Sequence, residues 1–540
     1  MKKLLTLSLI VCMLAVSLQF ISCKNESIIS SGQDWIPVDQ GTQWTDAVRN
    51  AYYIEDQGVR NIPYSWLTSL NDANGLSFLN DNLQRYGFLP IKGRQIPVGF
   101  TLGRDTANIL SAGLSCSACH TREIKVGDEL YRIDGGPAFI NYEKYTKDLE
   151  RALTVTINDQ VKLEQFLDRV ITASIANGDP AINDRNVLRN KVIRFQQNYS
   201  LFNHLSLPTD NMWGLGRLDA LNQILNRVSG IDISPYPDSM ITSNISPADN
   251  PVRFPFIWNM QFQDYTQWGA TGVNGNSNQA LLRNAGECLG VGAQFRPVPN
   301  SSMPDGLDYL AVNSVNFSGL LALEGYINKM GPPRWPWSVN NSLVAQGANL
   351  FSANCASCHG ITPGESRPPS TTTWATPLLD VGTDDWYFNT LTRTGSSGVL
   401  SSVLPSSIEL IKISGFCNQK MLKQYQPSIA FISATNTSAI GPGKYESRVL
   451  QGIWAAAPYL HNGSVPTLED LLKPASQRPT TFFIGVNYDT TKLGLSISQP
   501  ARDGYQFTTS GLGNSNVGHE YGTQLNEQDR AALIEYLKTL

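Results

Sequence analysis

The residues whose types and spacing point most directly to chemistry lie in two five-residue motifs, Cys116-Ser-Ala-Cys119-His120 and Cys355-Ala-Ser-Cys358-His359. Both read C-x-x-C-H, the attachment signature of a c-type haem. Each thiol can add to a haem vinyl group, and the adjacent histidine becomes an axial ligand of the iron. The whole chain has only eight cysteines and five histidines, so composition does not account for two such motifs. They predict two covalently bound haem c groups.

A different chemistry is open to the same cysteines. A C-x-x-C pair can hold zinc or carry out thiol–disulfide exchange, and the chain would then contain no haem. A zinc site built from both pairs would have to join segments that lie more than two hundred residues apart. That separation favours the haem interpretation.

The other axial positions decide between electron transfer and catalysis, because an iron with a single protein ligand can bind oxygen or peroxide. His461 lies in a turn-rich apolar loop about a hundred residues after the second motif, where the distal ligand of a cytochrome c domain normally lies. We therefore expect His359 and His461 on haem 2, with Met421 as the rival. Further candidates for either iron are His204, His519, Met212, Met260 and Met330.

No histidine occurs between His120 and His204, so haem 1 lacks a nearby second histidine and is predicted to be the reactive iron. For its surroundings we single out Trp213, Arg217 and Asp219. Trp213 could relay an electron, and Arg217 could pair with a haem propionate or stabilise a developing negative charge on oxygen. A structural ion pair at a helix start is an equal alternative for Arg217 and Asp219. Trp268 and Trp335 are considered as inter-haem relays, but packing is the preferred explanation for both.

The N-terminus supplies the export that haem attachment requires. Lys2 and Lys3 precede an apolar run over residues 4–20, which ends in Phe20-Ile21-Ser22-Cys23. Residues 1–22 are predicted to be a signal peptide of the lipoprotein type, with Cys23 lipidated and residues 24–34 as a tether. The alternatives are ordinary signal cleavage or an uncleaved anchor. We expect the bacterial cell envelope, at the periplasmic side or outer membrane, with membrane contact through the lipid alone.

The net charge bears on the partners of the protein, and the remaining thiols bear on a possible disulfide. The formal charge of −4 becomes about −6 without Lys2 and Lys3, which argues against a nucleic-acid partner. Cys288 and Cys417 could pair in an oxidising compartment.

Periodicity and composition predict a mainly α fold with two cytochrome c-like haem domains, long ordered loops and an irregular connector. The N-terminal haem domain is expected at residues 35–228, the Pro-, Asn- and aromatic-rich connector at 229–336 and the C-terminal domain at 337–540. Apolar spacing predicts helices at 69–88, 141–153, 159–171, 183–201, 217–228, 278–289, 315–329, 342–351 and 526–540, with Asn526 capping the last.

Longer stretches resemble the bacterial di-haem cytochrome c peroxidase superfamily, and most closely its rubber-oxygenase-like branch. They extend over nearly the whole mature chain. The resemblance implies His120 as the one protein ligand of a dioxygen-binding haem 1, and His359 with His461 on haem 2. A peroxidase proper has a distal histidine shortly after its first motif, which this sequence lacks. The matching stretches are 113–120, 132–138 (Arg-Ile-Asp-Gly-Gly-Pro-Ala), 213–220 (Trp-Gly-Leu-Gly-Arg-Leu-Asp-Ala), 283–287 (Arg-Asn-Ala-Gly-Glu), 379–384 and 452–464.

Two haem-based functions follow from these patterns. As a haem-dependent oxidoreductase, the protein would activate peroxide or dioxygen at haem 1, with an organic co-substrate and with haem 2 in electron transfer. As an electron carrier, it would exchange electrons with donor or acceptor proteins and have both irons saturated. The shortage of ligands around haem 1 favours the enzyme.

Overall fold

The structure is a computed structural model that describes residues 35–208, 212–230, 240–270, 272–274, 277–302, 306–360, 373–374, 376–392, 443–497 and 505–540. The signal peptide, Cys23, the tether, Cys417 and Met421 lie outside the described residues. Within the described ranges, no helix is long and apolar enough to cross a membrane.

Most helices begin where a polar side chain caps the first turn. Asn141, Asp159, Asp184, Asn340 and Asn526 each accept a hydrogen bond from a backbone N–H one turn ahead. The helices are α1 (Asp46–Ile54), α2 (Tyr64–Ser69), α3 (Cys116–Cys119), α4 (Tyr142–Ile157), α5 (Gln160–Ala176), α6 (Arg185–Ser206), α7 (Ala220–Ser229), α8 (Ser277–Gly290), α9 (Phe317–Ile327), α10 (Asn341–Asn354), α11 (Ala356–His359), α12 (Leu468–Leu471) and α13 (Glu527–Leu537).

The described strands are short and form small sheets. Two sheets have three strands, in the orders β1-β6-β5 and β2-β4-β3, and the pairs are β7–β8, β9–β10, β11–β12, β13–β14, β15–β18 and β16–β17. The β1–β6 pair is parallel. The strands are β1 (Ile36–Pro37), β2 (Ile62–Pro63), β3 (Phe100–Arg104), β4 (Leu110–Leu114), β5 (Thr121–Val126), β6 (Glu129–Asp134), β7 (Arg217–Leu218), β8 (Val252–Arg253), β9 (Tyr265–Thr266), β10 (Gly272–Val273), β11 (Phe295–Pro299), β12 (Leu307–Asn313), β13 (Leu378–Asp380), β14 (Lys444–Glu446), β15 (Thr481–Phe483), β16 (Tyr488–Asp489), β17 (Gly494–Leu495) and β18 (Gln506–Thr508).

The architecture is therefore mixed, and the expectation of a mainly α fold holds only loosely. Both three-stranded sheets lie in the region expected to be mostly helical, and they flank the first C-x-x-C-H motif. Two of their strands, β1 and β2, have only two residues each, which is too few for a period-two pattern to emerge from the sequence. Helices that exceed ten residues, by contrast, were found close to their expected places.

The helix predicted at residues 69–88 is wrong. Helix α2 ends at Ser69, and the Asp72 carboxylate accepts hydrogen bonds from the backbone N–H groups of Asn74 and Leu76. This side chain offers the backbone a turn instead of a helix. A similar shift occurs at residues 217–228, where Arg217 and Leu218 pair with β8 and the helix starts only at Ala220.

One buried apolar cluster joins all three regions proposed from the sequence. It contains Tyr52 and Ile133 from the first region, Trp258 from the second, and Trp454 and Leu533 from the third. The boundaries at 228 and 336 stay predictions, and the packing runs continuously across both. This shared core fixes the relative positions of the two C-x-x-C-H motifs.

Candidate functional site

The first C-x-x-C-H motif lines a mostly apolar cavity with an empty volume of about 1180 Å³, called here the N-terminal cavity. The motif occupies α3 and lies between the end of β4 and the start of β5. Gly99 lets β3 approach it, because a Cβ at Gly99 would lie 2.1 Å from the backbone nitrogen of Ala118. The thiol of Cys116 donates to Oε1 of Gln57 (3.3 Å). Both cysteines of this motif are free thiols.

The second motif lines a cavity with an empty volume of about 1300 Å³, the C-terminal cavity. It follows α10, which crosses the last helix, α13, as expected for a cytochrome c domain. The crossing is close: a Cβ at Gly347 would lie 2.1 Å from the carbonyl oxygen of Ala532. Phe351 and Tyr536 pack across it with ring centroids 5.3 Å apart.

The two motif histidines are held alike. Nδ1 of His120 donates to the carbonyl oxygen of Pro255 (2.9 Å), and Nδ1 of His359 donates to that of Arg448 (2.8 Å). This bond fixes the tautomer and leaves Nε2 as the nitrogen with a free lone pair. Burial lowers the pKa of His120 to about 4 and also lowers that of His359. Both imidazoles are therefore neutral, which is the form that ligates a metal.

His519 lies opposite His359 in the C-terminal cavity. The two ring centroids are 6.0 Å apart, and Nδ1 of His519 is buried without a hydrogen bond. Because metal–imidazole bonds are about 2.0–2.1 Å, two rings on opposite sides of one ion have centroids about 6 Å apart. His519 was one of several candidate ligands in the sequence. Its position two residues before Tyr521-Gly522 does not indicate that it lies near His359.

His461, the residue chosen from the sequence, also lines the C-terminal cavity but has another partner. Its ring stacks on Tyr445 at a centroid distance of 4.1 Å, and the Tyr445 hydroxyl lies 3.2 Å from its Nε2. Burial lowers the pKa of His461 to about 3. The assignment of His461 to the iron stays a prediction, and the ring separation of His519 and His359 is compatible with two ligands of one ion.

The N-terminal cavity has a different lining. Among the described residues that line it, His120 is the sole histidine, and Met260 is the sole methionine. Of the other candidates, His204 and Met212 are exposed, whereas Met330 is buried in the core beside Gly135. Among the described lining residues, this cavity therefore has fewer potential iron ligands than the C-terminal cavity.

Helix α8 contributes a polar face to the N-terminal cavity through Arg283, Asn284 and Glu287. Arg283 forms an ion pair with Glu324 (2.9 Å), and Glu287 accepts a hydrogen bond from the side chain of Gln267. Burial raises the pKa of the Glu287 carboxyl. Residues 283–287 belong to a stretch that resembles the family, but no role could be assigned to them from the sequence. Their spacing does place positions 283 and 287 on one helix face.

Four residues line both cavities: Arg253, Phe256, Trp268 and Arg448. The guanidinium groups of Arg253 and Arg448 lie 4.8 and 4.9 Å from the centre of the Trp268 ring. Nε1–H of Trp268 donates to the carbonyl oxygen of Arg253 (2.9 Å). Trp268 is thus part of the wall that the two cavities share, and its role as a relay stays a prediction.

The guanidinium groups of Arg253 and Arg448 are buried and have few acidic partners among the described residues. The side chain of Arg253 donates to the carbonyl oxygens of Leu460 and Phe254, and burial lowers its pKa to about 9. Nε of Arg448 lies 3.9 Å from a carboxylate oxygen of Glu446 and has no hydrogen bond. Buried guanidinium groups in this state favour an anionic partner.

The donor set therefore fits a haem in each cavity. Each has paired free thiols, a neutral histidine with its Nε2 available, apolar walls, and buried cations where anionic propionates would be balanced. Among the described residues, no cluster of three metal-ligating side chains of the kind that zinc requires is present.

Trp213, Arg217 and Asp219 do not line the N-terminal cavity, where the sequence analysis expected them. Trp213 donates through Nε1 to the carbonyl oxygen of Ala248 (2.7 Å). Arg217 is buried and donates to Asn514 (2.6 Å). Asp219 caps α7, and burial raises its pKa to about 6. All three are explained by structural contacts, and the suggested Arg217–Asp219 ion pair is not formed.

Comparison with known proteins supports cytochrome c sequence in the C-terminal part of the chain. Residues 443–483 match a family described as RoxA-like, cytochrome c-like. Residues 342–400 match a family described as cytochrome C oxidase, cbb3-type, subunit III. These matches identify a cytochrome c-type region and with it a covalently bound haem c.

Two proteins of Sinorhizobium fredii are similar over long stretches. The protein y4iJ is 29% identical in an alignment that covers 94% of this chain and 94% of y4iJ. The protein y4iM is 29% identical in an alignment that covers 55% of this chain and 66% of y4iM. The similarity to y4iJ thus extends over nearly the whole chain.

Proposed function

Because its C-terminal part is of the cytochrome c type, we propose that this protein is an exported di-haem oxidoreductase that activates peroxide or dioxygen at its N-terminal haem. The C-terminal haem would exchange electrons with that centre and with a partner protein. A second haem is proposed on the strength of the Cys116–His120 motif and of the cavity that it lines. The resemblance to the di-haem peroxidase superfamily and its rubber-oxygenase-like branch belongs to the same proposal.

The observation that carries the proposal is the asymmetry of the two cavities. The C-terminal cavity has three histidines among its lining residues, His359, His461 and His519. Among the described residues that line the N-terminal cavity, His120 is the sole histidine. An iron with one protein ligand keeps a position for oxygen or peroxide, and one with two does not.

When bound, the haems would supply one-electron and oxygen chemistry. The protein's own contribution is proton supply and orientation. Glu287 keeps its proton to higher pH than an ordinary glutamate, because burial raises its pKa. It can therefore donate a proton to an oxygen atom in the N-terminal cavity, while the Gln267 amide holds the carboxyl in place.

Trp268, Arg253 and Arg448 act between the centres. The two guanidinium groups would balance haem propionates at the wall shared by both cavities. Trp268 provides a continuous π-system across that wall, and the bond of its Nε1–H to the Arg253 carbonyl fixes the ring plane. Electrons would pass between the centres through this residue.

For the C-terminal iron we propose His359 with His519, on the basis of their 6.0 Å centroid separation. His461 is the second choice, and its stacking on Tyr445 would have to be broken for it to bind.

Export and anchoring complete the proposal. Haem attachment takes place outside the cytoplasm, and residues 1–22 together with Cys23 have the pattern of a lipoprotein signal. We propose a lipid-anchored protein of the bacterial envelope that exchanges electrons with a donor or acceptor protein and does not bind nucleic acid.

The proposal is tested by a pyridine haemochrome assay combined with electron paramagnetic resonance of the purified protein. We expect two covalent haems per chain, one low-spin, and one that is high-spin or binds cyanide or carbon monoxide. Two low-spin haems that ignore both ligands in either redox state would contradict the catalytic role.

One observation favours an electron carrier as a second candidate. The Met260 side chain lines the N-terminal cavity, and a thioether can serve as a second haem ligand. A Met260→Leu variant separates the two functions. In a carrier this change converts a low-spin N-terminal haem to high spin, and in the enzyme it leaves the spin state unchanged.

A further inference from the structure

A third large cavity lies apart from both proposed haem sites and shares no lining residue with either. This side groove has an empty volume of about 920 Å³ and is bordered by α6, α7, the end of α8 and β11. Four aromatic residues line it: Phe195, Tyr199, Phe202 and Phe295. A concave surface with aromatic rings and a few polar groups is suited to a small organic ligand.

Two arginines, Arg60 and Arg227, line the side groove, and they differ in their ion-pair partners. Arg60 forms a two-pronged ion pair with Asp56, at 2.8 and 2.7 Å, which matches its charge. Nε of Arg227 is buried without a hydrogen bond. Its guanidinium lies 4.6 Å from the centre of the Phe202 ring. Among the residues that the structure describes, this guanidinium therefore has an aromatic neighbour and no carboxylate partner.

Asn61, Tyr199, Phe202 and Arg227 also line a small neighbouring void. That void is too small to hold a ligand, so the groove itself is the candidate binding space.

We propose that the side groove binds a small aromatic carboxylate, with the carboxylate on Arg227 and the ring against Phe195, Phe202 and Phe295. The guanidinium fork matches a carboxylate in geometry. A single unmatched positive charge calls for a monoanion, so that a phosphate monoester with its higher charge would be left partly uncompensated. Rings of the ligand and of the wall can stack or meet edge to face. The site does not depend on the proposed reaction at either haem.

The test uses isothermal titration of the purified holoprotein with two probes, trans-cinnamate and its uncharged analogue trans-cinnamamide. We expect saturable binding of cinnamate at one site, about tenfold or more tighter than that of the amide, because a charged hydrogen bond is lost with the amide. Arg227→Gln should reduce cinnamate binding to the level of the amide. Arg227→Lys should keep part of the preference, because it retains the charge and loses the fork.

Two further variants control for folding and for the aromatic wall. Arg334→Gln removes a guanidinium that is 72% exposed and should bind both probes as the wild type does. Phe202→Leu should weaken both probes alike, because it reduces the wall and leaves the charge. All variants should keep the wild-type haem absorption spectrum.

Three results would overturn the proposal. The first is no saturable binding of cinnamate to the wild type at millimolar concentration. The second is equal binding of cinnamate by the wild type and Arg227→Gln. The third is a shift of the haem absorption spectrum upon binding that persists in Arg227→Gln, which would place the cinnamate at a haem and not in the side groove.

Discussion

The same five-residue motif is set in two different frameworks. At the N-terminal cavity it lies between strands β4 and β5, and Gly99, which precedes β3, packs against it. At the C-terminal cavity it follows α10, which crosses α13 at Gly347. The motif predicts how a haem is attached and which histidine binds its iron. The surrounding framework determines what lies on the other side.

The two cavities differ most on that other side. The C-terminal cavity brings a second histidine near the first, and the N-terminal cavity brings a polar helix face with Glu287, a carboxyl whose pKa is raised by burial. We propose that the first lining holds an iron between two ligands and that the second admits a small oxygen-containing molecule.

The largest effect is expected from removing one pair of thiols. Cys116→Ala with Cys119→Ala should abolish covalent attachment of one haem, and Cys355→Ala with Cys358→Ala that of the other, because each pair provides both thioether bonds. Intact-protein mass spectrometry measures the haem bound per chain. Both double variants should carry one haem. A wild-type haem content in either variant would show that its motif does not attach a haem.

Substitution of the opposing histidine should change the spin state of the C-terminal haem completely. His519→Ala should convert its low-spin signal to high spin, whereas His461→Ala should leave the signal in place, because the His461 ring is stacked on Tyr445. Electron paramagnetic resonance reads both variants. The reverse pattern would assign the iron to His461, as the sequence suggested.

Glu287→Gln should lower turnover with peroxide or dioxygen by about 10²-fold or more, which is typical of the loss of a general acid. The raised pKa sets the sign of the pH dependence. Wild-type activity requires the protonated carboxyl and should fall as the pH rises through that pKa, and the variant should lose this limb of the profile. The exposed Glu520 provides the matched control, Glu520→Gln, which should leave rate and profile unchanged. An unchanged profile in Glu287→Gln would exclude Glu287 as the proton donor.

Trp268→Leu should slow electron transfer between the two haems several-fold without changing the ligands of either iron, because the aliphatic side chain interrupts the aromatic wall between the cavities. Stopped-flow reduction followed at both haem bands measures this rate. Trp335→Leu is the control, because Trp335 packs against Trp337 and Trp454 and lines neither cavity. Equal rates in the two variants would remove Trp268 from the path.

The smallest effect is expected from the two packing glycines. Gly99→Ala and Gly347→Ala each place a Cβ about 2.1 Å from a backbone atom, which should cost about 1–3 kcal/mol of the free energy of unfolding. Gly99 also has a φ of +75°, so its substitution should be the more damaging. Urea unfolding followed by circular dichroism compares them. Gly325→Ala is the control, because a Cβ there meets nothing within 4 Å.

Long amphipathic helices were predictable because their periodicity and caps are local. Asn141, Asp159 and Asn526 cap helices within a residue of the expected starts. The helix predicted after Ser69 is wrong for an equally local reason, because the Asp72 side chain competes for backbone N–H groups.

The site candidates Trp213, Arg217 and Asp219 lie close in sequence to residues that line the N-terminal cavity. Their own side chains nevertheless do not line it.

Haem attachment could be predicted from the sequence alone, because the two thiols and the histidine of each motif lie within five residues. What lies opposite and between the motifs depends on contacts between distant parts of the chain. His519 reaches His359 from 160 residues away, and Arg253, Trp268 and Arg448 meet at one wall from distant parts of the chain. The physical reason is that a covalent bond to haem needs only local spacing. A second ligand, a proton donor or a relay needs a direction in space, and only long-range packing provides one.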